Sequence, residues 1–386
     1  MRLAINGWFW NSPATGSGQY TRQLVEGLVD LDPDLQIILI VPRDEGEQVE
    51  PEALDLPASC VLHRVPSSRS NLGKVRFEQV TFPQACARVD ADIIHVPYWG
   101  PPARSPVPMV VTIHDVIPLV LRGPAGGYRG GLLQRLYTAL VSASARGATL
   151  VLTDSEASRQ DILSHLGLPR RRVWAIPLAA GDHYVPEPAP HDAAVRAAYR
   201  LPDRYMLYLG GFDRRKNLAM VLATCRWTGP AIGDACPLVI AGRLPDQDTP
   251  FTPDPRRLMR ETNVPHRFVH FSGFVEEEHK PALYRGAVAF IFPSRYEGFG
   301  LPPLEALACG TPVVGSEAAS LPEIIGDAGI LLPPDDAQGM AGALIQLATD
   351  ERLRAEMSRR ALAQAGRFSW ERTAKATLTA YADAQR

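Results

Sequence analysis

A chain of 386 residues, 46% of them apolar, is long enough for two domains with a core each. Its formal net charge of -2 supplies no basic field for nucleic acid, and its five scattered cysteines never form a CxxC pair, which argues against a disulfide framework or structural zinc site. The start, "MRLAINGWFWNSPATGSG", lacks the apolar run of a signal peptide, and no uninterrupted apolar stretch would span a bilayer, so a cytoplasmic protein is expected.

Taken in chain order, short runs rich in Val, Ile and Leu alternate with helix-like stretches. Strands are predicted over 2–6, 37–41, 60–64, 93–96, 109–113, 149–153 and 172–176. The scheme then restarts, with strands over 205–210, 237–242, 268–271, 288–292, 312–315 and 329–332. Several are apolar at every position, as strands covered on both faces by helices should be. Between the halves, "VPEPAPHD" (185–192) has three prolines and no apolar run, and reads as an exposed linker. The expected architecture is α/β, with an N-terminal domain over 1–184, a second over 193–368, each a doubly wound parallel sheet, and a helix over 369–386 free to dock elsewhere. "LPDQDTPFTPDPRR" (244–257) reads as a long mobile loop.

In an open α/β sheet, ligands bind beyond the carboxyl ends of the strands, and that rule sorts the candidates. His114–Asp115 follow one strand; Arg214, Arg215 and Lys216 follow Gly210; "PSRYEGFG" follows "AFIF", and "GSEAAS" follows "PVV". The Asp-x-Asp spacings in "DLDPD" (30–34) and "DAD" (90–92) precede their strands and read as turns rather than cation sites. With no HExxH or similar cluster either, no metal is expected.

"RYEGFGLPPLEALACGTPVV" (295–314) is the densest stretch. Gly298 and Gly300 let the backbone approach a ligand, and Pro302 and Pro303 suit a first helical turn, whose free N–H groups favour an anion. Glu297 and Glu305 bracket that turn. Carboxylates accept hydrogen bonds from sugar hydroxyls, so one on each side of a diphosphate suits a nucleotide sugar. Either glutamate alone would read as a capping or solvated acid; with the glycines and prolines the ligand reading prevails.

Residues 297–336, "EGFGLPPLEALACGTPVVGSEAASLPEIIGDAGILLPPDD", resemble the E-x7-E region of the retaining GT-B glycosyltransferases of family GT4. "YLGGFDRRKNL", "VIAG", "SGFV", "TDSEASRQDI", "AIPLAAGD" and "GSGQYTRQL" are similar to other stretches of that family. "FEQVTFPQA", "ADIIHVPYWGPP" and "VVTIHDVIPL" look like its bacterial polysaccharide mannosyltransferase branch. The resemblance implies the GT-B fold, two Rossmann-like domains facing a central cleft. By position it implies that Glu297 contacts the donor sugar, that Gly298, Phe299, Gly300 and Leu301 offer backbone donors, and that Glu305 binds the ribose. Arg215 and Lys216, after Gly210, would neutralise the diphosphate; Gly16 and Gly18 would approach it from the other domain; His114 would lie by the donor sugar; Phe274 and Val275 would meet the base. Many members have Arg where this chain has Gly211, a charge that Arg215 can supply.

The implied reaction is transfer of a hexosyl unit from a nucleotide diphosphate sugar, with GDP-mannose favoured and UDP- or dTDP-hexoses as alternatives, to a saccharide or lipid-linked saccharide, with retention and no cofactor. A GT-B epimerase, a phosphorylase and an inactive scaffold of polysaccharide assembly remain the competing readings. Finally, residues 121–147 set Arg122, Arg129, Arg135 and Arg146 among Leu132, Leu133, Leu136 and Tyr137. That pattern fits either contact with an anionic membrane surface or an ordinary amphipathic helix packed on the sheet.

Overall fold

A computed structural model of the protein describes residues 1–12, 15–43, 59–68, 70–121 and 131–386. Strands β1 (Arg2–Asn6), β2 (Gln36–Arg43), β3 (Cys60–Pro66), β4 (Ile93–Val96), β5 (Met109–Thr112), β6 (Leu150–Thr153) and β7 (Val173–Ala175) form one sheet in the order β3-β2-β1-β4-β5-β6-β7. A second sheet holds β8 (Met206–Leu209), β9 (Leu238–Ala241), β10 (Val269–Gly273), β11 (Ala289–Phe292), β12 (Val313–Ser316) and β13 (Gly329–Leu332), in the order β10-β9-β8-β11-β12-β13. All pairings are parallel. Each run expected as a strand is one. β4, β5, β6, β8, β9 and β11 are buried at every position, because parallel strands joined by helical crossovers are covered on both faces.

Two compact units follow from this. The first comprises Met1–Val120, the chain up to Leu178, and Ser369–Arg386. On one face of its sheet, Ile38, Ile40, Phe77, Phe82, Val111 and Ile162 share a core. The helix Gly16–Leu31 buries Leu24, Val25 and Leu28 and packs against the helix Trp370–Ala384. Gly27 permits that approach: a Cβ there would lie 3.1 Å from the Ala374 Cβ. The chain's last helix thus belongs to the unit that contains its first strand.

The second unit spans Ala179–Phe368. It therefore begins ahead of the proline-rich stretch 185–192, and the end of that stretch is helical, since the helix Asp192–Ala198 starts there. Asp192 is the reason, for its carboxylate binds Arg285 of the same unit, with Nε donating at 2.8 Å, and accepts from the Ala189 N–H at 3.2 Å. The loop 244–257 is also better anchored than its composition suggests: the Phe251 carbonyl accepts from Arg214 N at 2.7 Å, and Asp248 pairs with Arg257 at 2.6 Å.

Strand order reverses between β1 and β4 in the first sheet and between β8 and β11 in the second. Beyond the carboxyl ends of such strand pairs, the departing loops diverge and open a crevice.

Candidate active site

At the switch point of the second sheet, the loops leaving β8 and β11 are stitched together. Asp213 starts the turn Arg214–Lys216 by accepting from Arg215 N at 3.3 Å. Asn217 ends it at φ +59°, a left-handed conformation that Asn tolerates, and donates its amide to the carbonyls of Pro293 (3.0 Å) and Pro334 (2.7 Å). From the other loop, Arg295 N and Ser294 Oγ both donate to the Arg215 carbonyl, at 2.7 and 3.0 Å.

This seam brings Arg215, Lys216 and Glu297 together. Glu297 Oε1 accepts from Lys216 Nζ at 2.7 Å and from Ser294 Oγ at 2.6 Å; Oε2 accepts from Arg215 Nη1 at 2.8 Å. Glu297 as a whole is only 7% exposed. Burial works against its charge, but Lys216, Arg215 and the Ser294 hydroxyl outweigh it and hold the carboxyl below the usual carboxylate range. Arg215 also pairs with Asp213 through Nε at 3.0 Å. The Lys216 ammonium lies 4.9 Å from the Phe292 ring centroid, and among the described residues Glu297 is its one hydrogen-bond partner, which leaves two of its three donors for another anion.

Glu297 opens the loop to Gly298, Phe299 and Gly300. Gly300, at φ +115°, turns the chain into the helix Leu301–Ala308, which carries Pro302 and Pro303 in its first turn as expected. Ser320 Oγ lies 3.0 Å from the Glu297 carbonyl and 2.5 Å from that of Phe299, holding the loop from the side of β12. The Phe299 ring packs edge-on against Phe368.

Glu305, within the helix, has different company. Tyr284 OH donates to its Oε2 at 2.9 Å, and no second hydrogen bond reaches it among the described residues. Burial raises its carboxyl above the usual range, with Lys280 opposing and Glu277 reinforcing the shift.

Gly210 follows β8 and Gly242 follows β9, and the two lie close: a Cβ at Gly242, φ +159°, would stand 2.3 Å from the Gly210 carbonyl oxygen. A Cβ on Gly211 would meet only Asp213, at 3.7 Å. Phe274 is 45% exposed, with the Arg243 guanidinium 4.8 Å from its ring centroid. Val275 is buried in the core, so its side chain is not available to a ligand.

The first unit holds His114 just beyond β5. Its Nδ1 donates to Asp154 Oδ2 at 2.8 Å, and its Nε2 lies 3.2 Å from the Pro97 carbonyl, so both ring nitrogens face acceptors. Burial opposes the charged imidazolium, yet Asp154, Asp115 and that carbonyl raise its pKa overall. Tyr20 packs edge-on over the ring at 4.8 Å. Behind it, Tyr20 OH, Thr112, His95 and Tyr381 OH form a buried chain with spacings of 3.0, 2.8 and 2.7 Å. Burial keeps His95 neutral, its pKa lowered to about 3. A Cβ on Gly16, at the start of its helix, would meet nothing within 4 Å, whereas at Gly18 a Cβ would lie 2.1 Å from the Ser12 carbonyl oxygen. Packing within the unit therefore accounts for Gly18 without a ligand.

Sequence reasoning missed Ser294, Ser320, Asp213, Tyr284 and Asp154, which seat these side chains. Ser294 and Asp154 lie inside quoted motifs, "PSRYEGFG" and "TDSEASRQDI"; Tyr284, on a helix remote in sequence from Glu305, carries no local signal. Among the described residues, no group of three or more His, Cys, Asp or Glu side chains could hold a metal ion. Chemically, the seam between β8 and β11 sets two cations, Arg215 and Lys216, against two carboxylates, Glu297 and Asp213, and its capacity for an anion lies in the Lys216 donors that Glu297 does not use.

Two family models match the chain: "Glycosyl transferase 4-like domain" over residues 15–179 and "Glycosyl transferases group 1" over 195–364. Among curated proteins, the chain is 35% identical to the O-antigen chain mannosyltransferase B of Escherichia coli, over 61% of this chain and 60% of that protein. It is 28% identical to the serotype-specific mannosyltransferase WbdA of Escherichia coli, over 81% of this chain and 39% of that protein. The matched stretch thus spans 60% of the first relative's length and 39% of the second's, less than two thirds of either. In fold it is similar to the sucrose-phosphate synthase of Thermosynechococcus elongatus, with TM-score 0.78 at 23% identity, covering 99% of this chain and 98% of that one.

Proposed function

Because the chain belongs to the group 1 and GT4-like glycosyltransferases, we propose that it moves a hexosyl unit from a nucleotide diphosphate sugar to a hydroxyl of a saccharide or lipid-linked saccharide, with retention of anomeric configuration. The observation that carries this reading is the triad of Arg215, Lys216 and Glu297 at the switch point of the second sheet. The donor diphosphate would take the two free donors of Lys216 and the flank of Arg215, which neutralise the charge that grows as the sugar–phosphate bond breaks. Glu297, held ionised, would orient a sugar hydroxyl. On the same face, the acceptor oxygen bonds to the anomeric carbon and its proton passes to the departing phosphate oxygen. Glu305 would hold the ribose hydroxyls through its unpaired oxygen, and the exposed Phe274 ring would border the base. With the diphosphate met by side-chain cations, the step requires no divalent ion, and EDTA should leave the rate unchanged.

GDP-mannose is the favoured donor, since the two curated relatives described above are named as mannosyltransferases. Incubation with radiolabelled GDP-mannose, UDP-glucose and dTDP-glucose tests the reading: transfer or hydrolysis from one donor, abolished in Glu297→Ala, is expected. Failure to bind any nucleotide in a thermal-shift screen, together with no turnover of any donor, would overturn it.

A further inference from the structure

Glu305 accepts one hydrogen bond, yet a lysine stands within electrostatic reach of it. Lys280 and Tyr284 are four residues apart on the helix Lys280–Gly286, a spacing that puts both on one face. Tyr284 is the residue whose hydroxyl donates to Glu305 Oε2. Burial works against the Lys280 charge, but Glu305 and then Glu277 outweigh it and raise its pKa. With a flexible four-carbon stem, Lys280 is the natural counter-ion for Glu305. It is bonded elsewhere: its Nζ donates to Oε2 of Glu277, which opens the turn Glu277–His279 just ahead of the helix. Among the described residues that is its one hydrogen bond.

Glu277 is itself fixed. Its Oε1 accepts from Tyr184 OH at 2.5 Å, and His183 Nε2 lies 3.7 Å from the same oxygen. Burial works against its charge, but His183, Lys280 and Tyr184 outweigh it and bring its carboxyl down to about 2. Tyr184 is buried, and its ring lies 6.0 Å from that of Tyr284 in a shared core. Two neighbouring tyrosines therefore seat the two carboxylates, Tyr184 on Glu277 and Tyr284 on Glu305. Of these acids, Glu277 has the ammonium and Glu305 keeps an oxygen without a partner among the described residues.

We propose that Glu277 is a positioning residue for the donor: by holding Lys280 it keeps the second oxygen of Glu305 open to the ribose hydroxyls. The proposal rests on the reading of Glu305 as the ribose partner. It adds that a charge outside the E-x7-E segment decides whether that carboxylate meets a ligand or a lysine. Without the Glu277 charge, Lys280 turns to Glu305 and competes with the ribose.

Glu277→Gln tests this, since the amide keeps an oxygen for Tyr184 and loses the charge that binds Lys280. A crystal structure of the variant without ligand is expected to show Lys280 Nζ within hydrogen-bond distance of Glu305. By calorimetry, the parent should bind GDP (or UDP, if the thermal-shift screen selects it) about tenfold more tightly than the 2′,3′-dideoxy analogue. Glu277→Gln should erase most of that ratio, and Glu277→Gln/Lys280→Met should restore it. If Glu277 served packing alone, the double variant would bind no better than Glu277→Gln, and the proposal would fall. It would also fall, with the ribose reading intact, if Lys280 stayed clear of Glu305 or if Glu277→Gln kept the ratio. Equal binding of the nucleotide and its analogue by the parent, or an unchanged ratio in Glu305→Gln, would overturn the ribose reading and this proposal with it.

Discussion

Glu297 and Glu305 lie eight residues apart on one loop-and-helix segment, yet their surroundings push their charges in opposite directions. Glu297 sits where two strand loops converge and is clasped by Arg215, Lys216 and Ser294. Glu305 sits inside a helix, against a tyrosine, with Lys280 acting only through space. A doubled motif thus does not mean doubled chemistry. The switch point gathers cations on one carboxylate, and the helix interior leaves the other largely to burial.

The largest effect should come from stripping the clasp. Lys216→Ala leaves Glu297 buried with one cation fewer, a change that typically costs about 3–5 kcal/mol for a buried pair. Stability and donor binding should both fall. In the double variant Lys216→Met/Glu297→Gln much of the stability should return while activity stays lost, and a denaturant titration beside a nucleotide-binding assay separates the two. Unchanged stability in Lys216→Ala would mean the ion pair contributes nothing to the fold.

Next come the kinetics of the two acids. Glu297 would meet the sugar whose charge changes during transfer, so Glu297→Gln should lower kcat more than it raises the donor KM. Glu305 would meet the ribose, which is the same in ground and transition states, so Glu305→Gln should chiefly raise KM. A lost charged hydrogen bond is worth about 1.5–3 kcal/mol, or roughly ten- to a hundredfold in either constant. Matching KM defects in both variants would erase the distinction drawn between the residues.

The opposite pKa shifts give opposite pH signatures. Glu297, depressed when folded, adds stability that is present above the unfolded carboxyl value, about 4.3, and is lost as pH falls through its lower folded value. Glu305, raised when folded, favours its proton and adds stability at low pH, lost as pH rises from that unfolded value through its higher folded one. Acid unfolding should therefore be shallower in Glu297→Gln and steeper in Glu305→Gln than in the parent. Identical acid profiles would contradict the assigned environments.

The strands were legible because both sheets are parallel and buried on two faces: "IILIV" and "AFIF" announce themselves without reference to any partner. Arg215, Lys216 and Glu297 were legible singly, through the rule that ligands gather at carboxyl ends of strands. That they bind one another depends on β8 and β11 being neighbours, which no local pattern encodes across the 81 residues between Lys216 and Glu297. The same limit hid Tyr284 behind Glu305 and Asp154 behind His114. The proline-rich stretch 185–192 looked like a linker because composition registers exposure, whereas the Asp192–Arg285 pair that anchors its end is a contact across sequence.

The smallest effect separates the two glutamates by their supports. Glu305 is seated by its helix, whose backbone geometry does not depend on one hydroxyl. Glu297 stands on an irregular loop whose carbonyls at 297 and 299 share the hydroxyl of Ser320. Ser320 is fully buried, so Ser320→Ala leaves those carbonyls without that donor at a cost of about 1 kcal/mol, near the average for a buried hydrogen bond. The loop should loosen around Glu297 while the helix keeps Glu305 in register. kcat should accordingly drop a few-fold, less than in Glu297→Gln, with the donor KM nearly unchanged, since a loss of about 1 kcal/mol is roughly a fivefold effect. A rise in KM with kcat preserved would show that Ser320 serves the ribose side instead, and that the loop and the helix move as one body.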